Sequence, residues 1–157
     1  MQLRMVAPTP LREKALAHLG IGAEEYCQAF FRRRVPRDRV LTTPPLIYQA
    51  WLGGDAAAAQ LVERAADDYA LAAKAMVAHT GSAGAEATFG GGVIACAPPE
   101  FWPLLAERLH RRRPAAVVKP PELPAELGAA IMAGHQLGLD PATLFRRLRE
   151  ANGDAKR

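Results

Sequence analysis

Between Asp55 and Thr80 the chain contains neither proline nor glycine, and apolar residues return every three or four positions. Leu61, Ala65, Tyr69, Ala72 and Met76 advance by four, four, three and four, which puts them on one stripe of a long helix. Glu63, Arg64, Asp67 and Lys74 fall on the other side. This spacing predicts a buried stripe beginning at Leu61, with Asp55 as the N-cap.

The same reading organises the rest of the chain. Residues 11–19 and 23–34 form a helical pair broken by the Gly-Ile-Gly turn at 20–22. "DRVL" at 38–41 reads as a strand or a turn, and "TTPPLIYQAWL" as a short helix with Thr43 as cap and Pro44 at its first position. "EATF" and "AAVV" are the two β-favouring runs, each followed by a helical pattern; Phe101, Leu105 and Leu109 recur at fours between them and define a buried face. Strand, helix, strand, helix implies two parallel strands joined by a right-handed crossover. Two such strands leave unpaired edges, so association with a partner or a second copy is expected.

At 157 residues and 50% hydrophobic the chain can bury roughly two-thirds of its unfolded surface, and it reads as one domain over 1–157. The net charge is only +4. The arginine runs at 32–34, 111–113 and 146–147 lie among apolar helical residues and read as solvated helix ends rather than a nucleic-acid patch. No window has the length and apolarity of a membrane span or a signal peptide, and Cys27 and Cys96 are too far apart for a CxxC site. Both sit in apolar surroundings, so buried free thiols in a soluble, cytoplasmic protein are the expectation.

The stretch with the most chemical interest is "TFGGGV", Thr88 to Val93. Glycines at the carboxyl end of a parallel strand let the backbone turn, and they also let a flat ligand lie on the main chain. On spacing alone both explanations stand. No Walker loop and no GxGxxG order is present.

Taken with "LGGDAAAA", which enters the long helix, and "PAELGAAIMAG", the triplet resembles the C-terminal lobe of the BadF/BadG/BcrA/BcrD-type ATPases, whose sugar-kinase branch includes N-acetylglucosamine kinases. The similarity runs from about Leu11 to Leu139. It implies a helix-rich α/β architecture, a partial ribonuclease H-like lobe with two short parallel strands and several packed helices. It also implies an ATP/ADP site, with Mg in a complete two-lobed assembly, in which Gly90, Gly91 and Gly92 border the adenosine. In this family a small-residue helix, here Gly128, Ala129 and Ala133, crosses a helix of the other lobe, and small residues suit such a hinge.

The departures from the pattern are equally informative. The Asp-Gly-Gly-x-Thr phosphate loop, the catalytic aspartate and the second Gly-Thr-Gly-Ser-type loop of the family are absent from the sequence. The resemblance therefore implies an adenosine-side lobe without catalytic residues of its own, an amino-sugar substrate for the intact enzyme, and either a partner chain carrying the N-terminal lobe or a homo-oligomer. The alternative is a non-catalytic nucleotide-binding or protein-interaction module. The family's activator ATPases share an iron–sulfur cluster between subunits, but their cysteine context is not found around Cys27 or Cys96.

Other chemistry is set aside on geometry. His18, His79, His110 and His135 form no HxxxH or HExxH pair. Asp67 and Asp68 point about 100° apart on a helix and read as solvated charges. Ser82 reads as part of a flexible Gly-rich connection.

Overall fold

The computed structural model describes residues 9–81 and 86–154. They divide into two compact units, one of residues up to 87 together with 92–118, the other of 88–91 and 119 onward.

The first unit begins with α1 (Pro10–Leu19), which starts on a proline and ends at Gly20 in the left-handed region, φ 69°. The 23–34 helix expected from the pattern is shorter, α2 (Tyr26–Phe31). "DRVL" is neither strand nor simple turn but lies within α3 (Arg37–Leu41), a single helical turn and a little more. Asp38 in its first turn complements the helix dipole, and with so few residues β-branching has little to oppose. In α4 (Pro44–Leu52) Pro44 holds its expected place, but Thr43 does not cap with its side chain. Its hydroxyl bonds back to the Arg39 carbonyl at 3.1 Å. Leu11, Ala50 and Ala58 form one apolar cluster with Leu46, Ile47 and Trp51 around them. Leu19, Ala29 and Val35 form another against Ile21.

The long helix is α5 (Ala56–Thr80), capped by Asp55 as the sequence indicates. Its buried stripe differs from the expected one. Ala58, Val62, Ala66, Ala70, Ala73 and Val77 are buried, whereas Leu61 is 49% and Met76 62% exposed. The displacement is one residue, about 100° of helix rotation. The cause is the partner, α7 (Phe101–Arg112), which packs on α5 more extensively than any other pair of elements meet. α7 contributes the large side chains, Phe101, Leu105 and Leu109, all fully buried. Small residues on α5 give those side chains room at the usual interhelical distance, so most of the bulk lies on α7. The expectation for α7 is fulfilled at all three positions.

Phe101 is also the hub of an aromatic cluster. Tyr48 meets it edge-on with ring centroids 5.5 Å apart, and Tyr69 does so at 6.4 Å. At the flank of the helix pair, Arg108 contacts Glu63 at 3.5 Å and Asp67 at 3.3 Å, and Arg112 reaches Asp67 at 3.0 Å. Asp67 is thus an interhelical ion-pair partner rather than a solvated charge, while Asp68 is exposed.

Strands β1 (Glu86–Thr88) and β2 (Val117–Lys119) pair as a two-stranded parallel sheet, with α6 (Gly92–Ala95) and α7 between them in sequence. Only the central residue of each strand, Ala87 and Val118, is half-buried. In the second unit α8 (Ala125–Gln136) packs on α9 (Pro141–Asp154). Gly134 makes this possible, since a Cβ there would lie 2.5 Å from a methyl of Leu144. Asp140 precedes α9 and accepts from the Thr143 amide at 2.9 Å.

Four substitutions test this packing by urea denaturation. Ala66→Leu should destabilise by about 1–3 kcal/mol through overpacking, and Phe101→Ala by about 3–5 kcal/mol, whereas Leu61→Ala should stay within about 0.5 kcal/mol. Tyr48 is 5% exposed, and its buried hydroxyl has no hydrogen-bond partner among the described residues. Tyr48→Phe should therefore be stabilising, by up to about 1–3 kcal/mol.

Candidate functional site

The glycine triplet follows β1, and its last member opens α6, which is anchored by the buried Ile94. Gly91 has φ 103°, where an L side chain is strained, so the turn itself requires glycine at this position. Gly90 and Gly92 have no positive φ. A Cβ added to any of the three would meet nothing within 4 Å, and all three residues are exposed. Turn formation therefore accounts for one glycine of three. The other two leave a strip of bare main chain accessible for a reason the local fold does not supply.

The small residues of α8 present a similar contrast. Gly134 is explained by Leu144, but a Cβ at Gly128 would meet nothing within 4 Å. Ala129 and Ala133 are exposed, and Met132 is 70% exposed beside them. A glycine inside a helix costs about 1 kcal/mol relative to alanine, and at half-buried Gly128 there is room for the Cβ that alanine would add.

Asp55 holds a third constellation together. One carboxylate oxygen accepts from the Ala57 and Ala58 amides, both at 3.0 Å, and the other accepts from the Leu11 amide at 3.2 Å. These backbone donors, that of Ala58 foremost, hold its carboxyl below the usual 3.8. Around it lies an open cleft of about 380 Å³ whose lining includes Lys14, Gln49, Gly53 and Gly54. With its lone pairs committed to α1 and α5, Asp55 is a structural tie.

Tyr48 is the most perturbed group: burial first, then the neighbouring Cys96 and Tyr69, pushes its hydroxyl up to about 12. Burial likewise raises the Cys96 thiol, which donates to the Val93 carbonyl at 3.2 Å. Cys27 is free but exposed, and Cys96 only half-buried, so neither thiol is buried as the apolar surroundings in the sequence suggest. His18 bonds through Nε2 with the Arg39 carbonyl and the Thr42 hydroxyl. Among the described residues no group of histidines, cysteines and carboxylates is arranged to hold a metal ion. No helix among them is long and apolar enough to cross a membrane. Ser82 lies outside the described residues.

No protein-family model matches the chain, and comparison with curated proteins and with solved structures finds no match.

The Asp55 geometry has a pH consequence. A carboxyl whose folded pKa is depressed contributes stability that is fully present above its unfolded value and is lost as pH falls through the folded one. Asp55→Asn preserves a capping oxygen but cannot titrate. Thermal melts between neutral pH and pH 2 should show a shallower acid loss for Asp55→Asn than for the wild type, with the curves separating below about pH 4.

Proposed function

We propose that this chain is the adenosine-side lobe of an ATP-dependent phosphotransferase of the BadF/BadG/BcrA/BcrD type, close to its N-acetylglucosamine-kinase branch, in a ribonuclease H-like arrangement. The observation that carries the reading is the pair of exposed glycines, Gly90 and Gly92, that have no positive φ and at which a Cβ would meet nothing within 4 Å among the described residues. Bare main chain at the carboxyl end of a parallel strand is where a nucleoside can lie flat without meeting a side chain.

In this reading Gly90, Gly91 and Gly92 border the adenine and ribose of ATP or ADP. Phosphoryl transfer rests on positioning and on neutralising charge with loops, metal and base. Those parts, and the contacts to an amino sugar, belong to a phosphate-binding lobe that this chain meets as a partner. The face of half-buried Gly128 and exposed Ala129 and Ala133 suits that meeting, because small residues let a second helix approach closely and pivot. Nucleotide binding then precedes, and does not require, turnover by this chain.

The test is calorimetric titration with ADP of the wild type, Gly90→Val and Gly92→Val. A Cβ at either glycine meets nothing within 4 Å among the described residues and both residues are exposed, so both variants are expected to keep the wild-type thermal midpoint. The wild type should bind, and each variant should lose at least about tenfold in affinity, roughly the effect of 1.4 kcal/mol. A wild type that takes up no ADP at millimolar concentration, or valine variants that bind as well, would overturn the proposal. The chain alone, given ATP, Mg²⁺ and N-acetylglucosamine, should show no phosphorylation.

A further inference from the structure

The arginine run at 32–34 is more than a solvated helix end. α2 closes with the Arg34 amide donating to the Ala29 carbonyl at 2.8 Å and the Arg33 amide donating to the Phe30 carbonyl at 3.0 Å. This pairing is a Schellman motif, and its left-handed position is where glycine is ordinarily found. Here it is Arg33, at φ 53°, the one non-glycine residue with positive φ among those described. Backbone preference therefore opposes an arginine at this position.

Its surroundings are also exceptional. Phe30, Arg33, Val35, Pro36, Arg37 and Val40 line a shallow groove of about 430 Å³. Val35 is the buried floor, and Phe30 and Val40 are 38% and 37% exposed walls. Next to it Phe31 is 91% exposed. Between Phe30 and Val40 there are five arginines and one aspartate, so this short segment carries a charge equal to the +4 of the whole chain. Among the described residues no carboxylate pairs with Arg32, Arg33, Arg34 or Arg37.

We infer that the α2–α3 groove is a docking site for an acidic peptide segment of another protein, one that presents a large apolar side chain next to carboxylates. The apolar side chain enters between Phe30, Val35 and Val40, and Arg33 and Arg37 take the carboxylates in charge-assisted pairs. Arginine beside exposed aromatic residues is the composition of binding hot spots. The groove is too open to enclose a small molecule, which would be mostly buried in a site of its own. Helices as short as α2 and α3 do not provide the extended apolar face of a membrane-lying helix. A groove that tracks a nucleic-acid strand would need basic residues spread along a path with stacking platforms, not gathered around one apolar recess.

The experiment selects random short peptides displayed on phage against the full chain, with counter-selection on the Arg33→Gly, Arg37→Gln double variant. Selected peptides are then measured by fluorescence anisotropy, alongside phosphatidylserine–phosphatidylcholine vesicles and single-stranded RNA. Enriched peptides should pair a large apolar residue with nearby aspartate or glutamate. Their affinity should fall at least about tenfold in the double variant and weaken as salt rises. Arg33→Gly alone should bind more weakly while its thermal midpoint stays level or rises, because glycine relaxes the left-handed position. No enrichment, a consensus without carboxylates, or unchanged affinity in the double variant overturns the inference. Vesicles or RNA bound more tightly than the peptides, and lost with the same substitutions, would reassign the groove to lipid or nucleic acid and also overturn it.

Discussion

The first unit depends on the seam in which the alanines and valines of α5 receive Phe101, Leu105 and Leu109 of α7. The large side chains come mainly from α7, so the fit is asymmetric, with Tyr69 of α5 meeting Phe101 at its edge. Phe101 extends this seam to α4 through Tyr48, and the same α5 stripe begins at Ala58 in the cluster with Leu11 and Ala50. Arg108 and Arg112 fix the register at the edge, where partly exposed carboxylates limit the desolvation cost of the ion pairs. Apolar burial stabilises the seam most, by roughly 1.5–3 kcal/mol for each large side chain withdrawn from water.

The cap and span of α5 are legible in the sequence because Asp55 and the absence of glycine and proline act locally. The α7 face is legible because three large residues at fours leave no competing stripe. The buried stripe of α5 escapes such a reading for a physical reason: this helix is apolar on most of its circumference, where bulk is a poor sign of burial. Tertiary contact chose the small residues instead, since the bulk came from α7. At α3 the local pattern is too short to decide between periodicities, and packing of α1 against α3 completes what the segment alone does not specify.

The candidate site is legible in a different way. The glycine triplet stands out in the sequence, but a sequence does not say which glycines a turn needs. Torsion angles separate Gly91, required by φ, from Gly90 and Gly92, which are not. The same distinction divides the small residues of α8, where a Cβ at Gly134 would press on Leu144 while one at Gly128 would meet nothing within 4 Å among the described residues. In the α2–α3 groove it runs in reverse, with an arginine where the backbone favours glycine. Arg33 has no sequence signal apart from its charge, because a Schellman ending without glycine is invisible until the helix end is known.

The carboxylate of Asp55 binds the first turn of α5 and, 44 residues earlier in the chain, the Leu11 amide that opens α1. During synthesis α1 leaves the ribosome well before the group that secures it. At about 5–20 residues per second that interval is between about 2 and 9 s. A ten-residue helix is marginal in water without tertiary support, so through this interval the amino-terminal segment is exposed to chaperones and proteases. The order of emergence thus leaves α1 without its tie to α5 until Asp55 has been made.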